Sequence, residues 1–140
     1  MKVLFDTNII LDVLLDREPF CDAATYLMTK VEQSEIVGYV GATTITTIYY
    51  LLQKNLGREI AVEKVEVLLS IFEIIPVNRI ILWSALKSKF SDFEDAVLFE
   101  GGSHIGVEYI ITRDVKGFKN SKIPVFNPLE FINILEKIGK

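Results

Sequence analysis

The chain has 140 residues, of which 50% are hydrophobic and 24% charged, and its formal net charge is −4 at pH 7. This composition predicts one ordered domain over residues 1–140, and the acidic balance argues against a broad basic surface that would grip nucleic acid nonspecifically. One cysteine and one histidine exclude an internal disulfide and a Cys/His zinc cage. Asp6 and Asp12 interrupt the N-terminal apolar stretch, so we expect a cytoplasmic protein with no signal peptide and no membrane contact.

Short apolar runs alternate with longer helical patterns along the chain. The runs predict strands over 2–6, 35–41, 72–77, 107–112 and 123–126. The periodic segments predict helices over 8–15, 20–33, 43–55, 58–69, 79–89, 92–104 and 129–138, with Pro19 in the first turn of the second helix. The β-branched start of 43–55 leaves a strand as the alternative there. Apolar strands separated by helices predict an α/β fold, a three-layer α/β/α sandwich with a central parallel sheet.

Acidic residues follow two of the predicted strands and begin one of the helices. Asp6 ends the first strand, and Asp114 follows the strand 107–112. Asp92 and Asp95 occupy the first turn of a helix that leads into that strand, three residues apart and therefore on one face. Such a helix runs antiparallel to the strand, so its N-terminus lies at the carboxyl edge of the sheet. All four carboxylates are therefore expected at this edge, where open α/β sheets bind their ligands.

Four carboxylates in one place repel one another unless a cation neutralises them. A cluster with oxygen ligands only suits Mg²⁺ or Mn²⁺, and such an ion orients water and stabilises charge on a phosphodiester. The pattern therefore predicts metal-dependent phosphodiester hydrolysis. Thr7, Asn8 and Thr112 are expected to support this site, the first two by hydrogen bonds to the Asp6 carboxylate.

Each acid also has an ordinary structural interpretation. Asp6 is a suitable cap for the helix that begins near residue 8, and Asp114 is a suitable first residue of a turn. Asp92 and Asp95 are typical of acids that favour a helix dipole, a contribution of about 0.3–1 kcal/mol each. The coincidence of all four at one edge is what favours a functional site.

Charged neighbours of these acids receive other interpretations. Ser91 and Glu94 fit a capping box, so Glu94 is assigned a structural role. Asp12 is expected to be solvated, although its closeness to Asp6 makes it a candidate for supporting that carboxylate. Arg113 and two nearby lysines are expected on the surface, with steering of a phosphate backbone as the alternative.

Four stretches together resemble the PIN domain family: FDTNIILDVLLDREPF, ATTITTIYYLL, SDFEDAVLFEGG and YIITRDVKGF. Their order and spacing agree with the family along nearly the whole chain, although each motif alone is a weak signal. The resemblance implies a three-layer α/β/α fold, a Mg²⁺- or Mn²⁺-dependent ribonuclease site of clustered acids, and a homodimer. Small members of this kind are commonly VapC-type toxins, which implies an RNA substrate and an antitoxin partner.

The family's acids transfer to particular positions of this chain. Asp6 matches the first acid, Asp95 the acid of the central helix, Asp92 the additional acid of the DFEDA subgroup, and Asp114 the acid of the TRD motif. Thr47 stands where members commonly have the glutamate of a T-x-x-E pattern. Threonine supplies no charge, although it can hydrogen-bond a metal-bound water. Metal affinity or turnover is therefore expected to be weakened unless Asp92 supplies the missing carboxylate.

Two functions remain open at this point. The first is a metal-dependent endoribonuclease, the toxin of a type II toxin–antitoxin system. The alternative, motivated by Thr47, is a catalytically degenerate PIN module that binds RNA or a protein partner without cleavage. A phosphatase or phosphotransfer domain with Asp6 as nucleophile is disfavoured, because that signature needs an aspartate where Asn8 stands.

Overall fold

A parallel five-stranded sheet forms the centre of the protein in a computed structural model that describes residues 1–139. The strands, in chain order, are β1 (Lys2–Phe5), β2 (Val37–Gly41), β3 (Glu73–Ile75), β4 (Tyr109–Ile111) and β5 (Val125–Phe126). Their spatial order is β3-β2-β1-β4-β5, and every neighbouring pair is parallel. All five predicted strands exist, but each is shorter than predicted. Apolar residues continue to be buried beyond the paired segment, as at Val107, so hydrophobicity overestimates strand length.

Within residues 1–139, seven α-helices connect and cover the strands. They are α1 (Thr7–Leu14), α2 (Cys21–Glu32), α3 (Ala42–Leu56), α4 (Arg58–Ile71), α5 (Arg79–Lys87), α6 (Phe93–His104) and α7 (Pro128–Ile138). The segment with a β-branched start, now α3, is a helix because Ile48 and Leu52 bury one face of it at helical spacing. Pro19 was wrongly predicted to lie in a first helical turn, since α2 begins only at Cys21. No helix within residues 1–139 is long and apolar enough to cross a membrane.

The helices form two layers, one on each face of the sheet. Successive residues of β1 point to opposite faces, so Val3 and Phe5 enter one core and Leu4 enters the other. The first core is completed by residues of α1–α4 and α7, and the second by residues of α6. A smaller apolar cluster joins α5 to α6 on that second face. The predicted three-layer α/β/α sandwich is therefore confirmed.

All strands point the same way, but the order in which the chain adds them changes side at the boundary between β1 and β4. From β1 the chain proceeds outward through β2 and β3, and then crosses to β4 and β5 on the other side. Phe5 pairs with Ile111 at the ends of β1 and β4, and the Asp6 amide donates to the Ile111 carbonyl at 2.9 Å. Residues that follow these two strands thus meet at a topological switch point, where parallel α/β sheets form a crevice.

Candidate active site

Asp6 lies in this crevice, at the junction of β1 and α1. Its extended backbone makes it the N-cap of α1, and its Oδ1 accepts a 2.8 Å hydrogen bond from the Thr7 amide. Its Oδ2 accepts a 2.7 Å bond from the Thr112 hydroxyl, and the residue is only 7% exposed. Burial raises the pKa of Asp6, the two hydrogen bonds oppose that rise, and the nearby Asp114 and Asp92 add to it. Asp6 therefore caps α1, as its structural interpretation predicts, and it also lies near Asp114 and Asp92.

The segment after β4 reaches Asp6 through Thr112. This threonine is fully buried, and its hydroxyl accepts a 3.0 Å hydrogen bond from the Asp114 amide while donating to Asp6. Asp114 is exposed and begins a short 3₁₀ helix, Val115–Phe118, by accepting a 3.1 Å bond from the Gly117 amide. The turn interpretation of Asp114 is thus correct as local structure, and one hydroxyl links this turn to Asp6.

The first turn of α6 carries the next two acids. Asp92 is the N-cap, and its Oδ1 accepts a 2.9 Å hydrogen bond from the Asp95 amide. The predicted capping box of Ser91 and Glu94 is therefore wrong by one residue. Serine and aspartate are both good N-caps, so the sequence does not decide between adjacent candidates. Glu94 consequently has no part in the cap.

Asp95 lies across from Asp114, close to Gly117. A Cβ built on Gly117 would be 2.5 Å from Asp114 Oδ2 and 3.3 Å from Asp95 Oδ2, so both oxygens face the same small space. Burial is the largest cause that raises the pKa of Asp95 to about 7, followed by the negative charges of Asp6, Asp92, Asp114 and Glu94. The structure therefore brings all four predicted acids together from three separate segments.

Glu94 is a fifth acid that sequence reasoning set aside. Its pKa is raised by partial burial and by the negative charges of Asp92 and Asp6. It lines a cavity of about 360 Å³ together with Phe93, Thr43 and Thr47. The position of Glu94 in the first turn of α6, beside Asp95, is the sequence feature that indicates a place near the acids. The capping-box interpretation assigned it a structural role instead.

The predicted supporting residues differ in what they contact. Thr7 bonds Asp6 through its amide, while its hydroxyl lies 2.9 Å from that of the fully buried Thr44. Asn8 is exposed and, within the described part of the chain, makes no hydrogen bond to Asp6, so that expectation was wrong. Thr47 is half-buried on α3, one helical turn beyond Thr43. The buried Thr43 hydroxyl finds no hydrogen-bond partner among residues 1–139.

Asp12 is the largest departure from expectation, because it is fully buried and not solvated. Its Oδ2 lies 2.8 Å from Arg113 Nε, and its Oδ1 accepts a 3.2 Å hydrogen bond from an Arg113 Nη. The Arg113 guanidinium therefore turns toward a buried carboxylate while 28% of the side chain stays exposed, so the expectation of a simple surface residue is only partly correct. Asp12 follows the buried Ile9 by three residues, so the helical period placed it inward.

A hydrated divalent cation fits the acids. Within residues 1–139 no three acidic, histidine or cysteine side chains form a ready-made metal cage. Mg²⁺ does not require one, because it usually keeps several waters and binds through one or two carboxylates. The space in front of Gly117, which a Cβ would fill, is bordered by oxygens of Asp95 and Asp114. Oxygen donors around an open space are the set that Mg²⁺ or Mn²⁺ prefers.

Comparison with known proteins agrees with this architecture. A sequence profile of the PIN domain matches residues 2–116. Ribonuclease VapC1 of Aquifex aeolicus (strain VF5) is 25% identical over 135 residues, which cover 93% of this chain and 92% of the relative. FitAcB from Neisseria gonorrhoeae has a similar structure, with a TM-score of 0.72 at 19% identity over 91% of this chain and 98% of that one. A toxin–antitoxin complex from Klebsiella pneumoniae contains a chain with a TM-score of 0.68 at 24% identity, over 90% of this chain and 97% of that one. The profile covers most of the chain, and the chain therefore belongs to the PIN domain family.

Proposed function

We propose that this protein is a metal-dependent endoribonuclease and the toxin of a type II toxin–antitoxin pair. The observation that carries the proposal is the meeting of Asp6, Asp95 and Asp114 at the switch point of the sheet, around a space kept open by Gly117. Negative charges from distant segments that raise the pKa values of Asp6 and Asp95, in a crevice, are typical of a functional site.

In this proposal Asp6, Asp95 and Asp114 hold Mg²⁺ or Mn²⁺, and Asp92 assists. The ion, when bound, supplies positive charge for the phosphodiester and lowers the pKa of a coordinated water. Thr112 and the Thr7 amide keep the Asp6 carboxylate aimed into the crevice. The raised pKa of Asp95, about 7, means that a bound cation would favour the ionised form of this carboxyl.

The names of the relatives support the substrate and the partner. The Aquifex relative is a ribonuclease, which favours RNA as the substrate here. The Klebsiella structure is a toxin–antitoxin complex, which favours a protein antitoxin as the partner. We further propose a cytoplasmic homodimer, as the family resemblance implies.

Cleavage of a labelled, structured RNA tests the proposal. Purified protein is assayed with Mg²⁺, with Mn²⁺ and with a chelator, beside the variant Asp6→Asn. Asparagine keeps an oxygen for the Thr112 hydroxyl but removes the charge, so we expect metal-dependent cleavage to fall by on the order of 100-fold or more without unfolding. Asp22→Asn is the matched control, because Asp22 is exposed in the first turn of α2. Cleavage by Asp6→Asn at the control's rate would refute the assignment.

A degenerate, non-cleaving PIN module is the second candidate, and one observation favours it. Helix α3 contains no acidic residue, and Thr47 stands where a glutamate would face the cavity beside Glu94. A binding module predicts that folded protein retains RNA on a filter or in a gel shift while no product forms in Mg²⁺ or Mn²⁺. Metal-dependent product formation by the wild-type chain excludes this candidate.

A further inference from the structure

We propose that Asp12 and Arg113 are a positioning pair that holds Asp114 at the distance from Asp6 and Asp95 that cleavage requires. The inference rests on the proposed function, because it assigns to two further residues the task of holding one of the metal-binding acids.

The two side chains of the pair approach each other at two points. Asp12 is 0% exposed and the Arg113 side chain 28%, with Nε 2.8 Å from Oδ2 and an Nη 3.2 Å from Oδ1. Arg17 lies farther away, with an Nη 3.9 Å from Oδ1. The Nη contact is a hydrogen bond, whereas the Nε–Oδ2 contact is ionic only, since within residues 1–139 neither of those two atoms has a hydrogen-bond partner. One hydrogen bond and one close ionic contact hold the planar guanidinium against the Asp12 carboxylate.

An aromatic ring restrains the same guanidinium from one face. The Arg113 Cζ lies 4.0 Å from the ring centroid of Phe20, a stacking distance for a cation and an aromatic ring. The carboxylate at the edge and the ring at the face together limit both rotation and tilt of the group. Both contacts are made within the chain, which is why we assign Arg113 a positioning role.

The place of Arg113 in the chain connects this pair to the acids. It lies between Thr112, which donates to Asp6, and Asp114, whose amide donates to Thr112. Helix α1 has Asp6 at its N-cap and Asp12 in its last turn. The segment 112–114 is therefore fastened to α1 twice, once at Thr112 and once at Arg113. With one attachment only, Asp114 would be free to pivot away from Asp95 across the space in front of Gly117.

Stability alone does not explain a buried ion pair. Desolvation of both charges offsets much of their attraction, and well-packed apolar replacements of such pairs are often neutral or stabilising. If the pair serves to position Asp114, its effect on cleavage should be separable from its effect on the free energy of unfolding. Replacing both residues by apolar ones should preserve folding and still impair cleavage.

The test compares Arg113→Ala, Arg113→Lys, Asp12→Asn and the double variant Asp12→Leu/Arg113→Met with the wild-type protein. The measurements are thermal midpoint, Mn²⁺ affinity by calorimetry, and kcat and KM on the labelled RNA. Arg58→Ala is the control, because Arg58 is exposed at the start of α4. We expect the double variant to melt near the wild type, with kcat reduced by about 10–100-fold, Mn²⁺ bound more weakly, and KM within about twofold.

The other variants sharpen the result. Arg113→Lys keeps a charge without the planar, two-point contact, so we expect a kcat between those of the wild type and Arg113→Ala. Millimolar guanidinium should partly restore kcat in Arg113→Ala, because the buried Asp12 carboxylate and Phe20 still form its binding place.

Three outcomes would overturn the inference. Wild-type kcat and Mn²⁺ affinity in the folded double variant would show that the pair holds nothing that cleavage needs. A raised KM with unchanged kcat in Arg113→Ala would assign Arg113 to phosphate binding instead. A wild-type protein that neither cleaves RNA nor binds Mn²⁺ would refute the proposed function, and this inference with it. The last outcome is seen in the wild-type protein and the first two only in the variants. Failure of the proposed function can therefore be distinguished from failure of this inference.

Discussion

The two sides of the acidic crevice are built differently. We call the side formed by Asp6, Thr112 and Asp114 the bonded wall, because hydrogen bonds from Thr112 and from backbone amides join its members. Thr43, Thr47 and Glu94 line a cavity next to Asp95, which we call the open wall, and within residues 1–139 the buried Thr43 hydroxyl has no hydrogen-bond partner. Asp95 lies between the two walls and has the strongly raised pKa.

The two walls therefore differ in how far hydrogen-bond donors of the protein compensate their negative charges. On the bonded wall, hydrogen bonds from Thr112 and Thr7 compensate part of the charge of Asp6. On the open wall, Glu94 adds negative charge without a compensating donor, and burial raises the pKa values of Glu94 and Asp95. The cation is therefore expected to stabilise the open wall more than the bonded wall.

The largest expected effect comes from Asp95→Asn. The pKa of Asp95 rises from its usual 3.8 to about 7 on folding, so the metal-free wild type should lose stability as pH rises between these values, because the folded state then binds more protons than the unfolded state. Asparagine removes this loss and also one of the proposed metal ligands. We expect a higher thermal midpoint than the wild type at pH 8 without metal, and cleavage lower by on the order of 100-fold.

Thermal melts from pH 4 to 8, with and without Mg²⁺, check this prediction. Added Mg²⁺ should reduce the pH-dependent loss in the wild type and have little effect on the variant, because a cation favours the ionised carboxylate. A wild-type midpoint that increases steadily from pH 4 to 8 without metal would contradict the role given to Asp95.

A smaller effect is expected from Thr47→Glu on the open wall. A carboxylate there would join Glu94 and Asp92, so metal-free stability should fall at pH 8 while cleavage at limiting Mn²⁺ rises by about tenfold. Gln53→Glu is the matched control, since Gln53 is exposed on the same helix. The measurement is the cleavage rate as a function of Mn²⁺ concentration for the wild type, Thr47→Glu and Gln53→Glu. Unchanged or reduced cleavage in Thr47→Glu would mean that the open wall is complete without a glutamate.

The smallest effect is expected from Glu94→Gln. Glu94 is the weakest of the charges that raise the pKa of Asp95, so its removal should lower that pKa only slightly. We expect cleavage to change by about two- to fivefold, against Glu66→Gln on the exposed face of α4 as the control. A carboxyl NMR titration of Asp95 in each protein measures the shift. An Asp95 pKa that does not move would place Glu94 outside the cluster.

Much of this arrangement could be predicted from local patterns. The order of strands and helices indicated a parallel sheet, and the directions of β1, β4 and α6 brought four acids to one edge. The pairing of Asp12 with Arg113 could not be predicted, because the two residues are 101 positions apart and each is ordinarily a surface residue. The cap of α6 was misplaced for a different reason: Ser91 and Asp92 are similar in capping strength, and only backbone geometry separates them.

The separation of Asp6 and Thr112 along the chain has a consequence for folding. Their hydrogen bond joins residues 106 positions apart, and the β1–β4 pairing beneath it has the same long span. Contacts of such long range require loop closure before they contribute stability, so they form late. A chain that has been synthesised only as far as α6 contains Asp6, Asp92 and Asp95 but lacks β4, Thr112 and Asp114. We therefore expect partially synthesised chains to have no complete crevice, and the proposed activity to begin only after β4 has taken its place in the sheet.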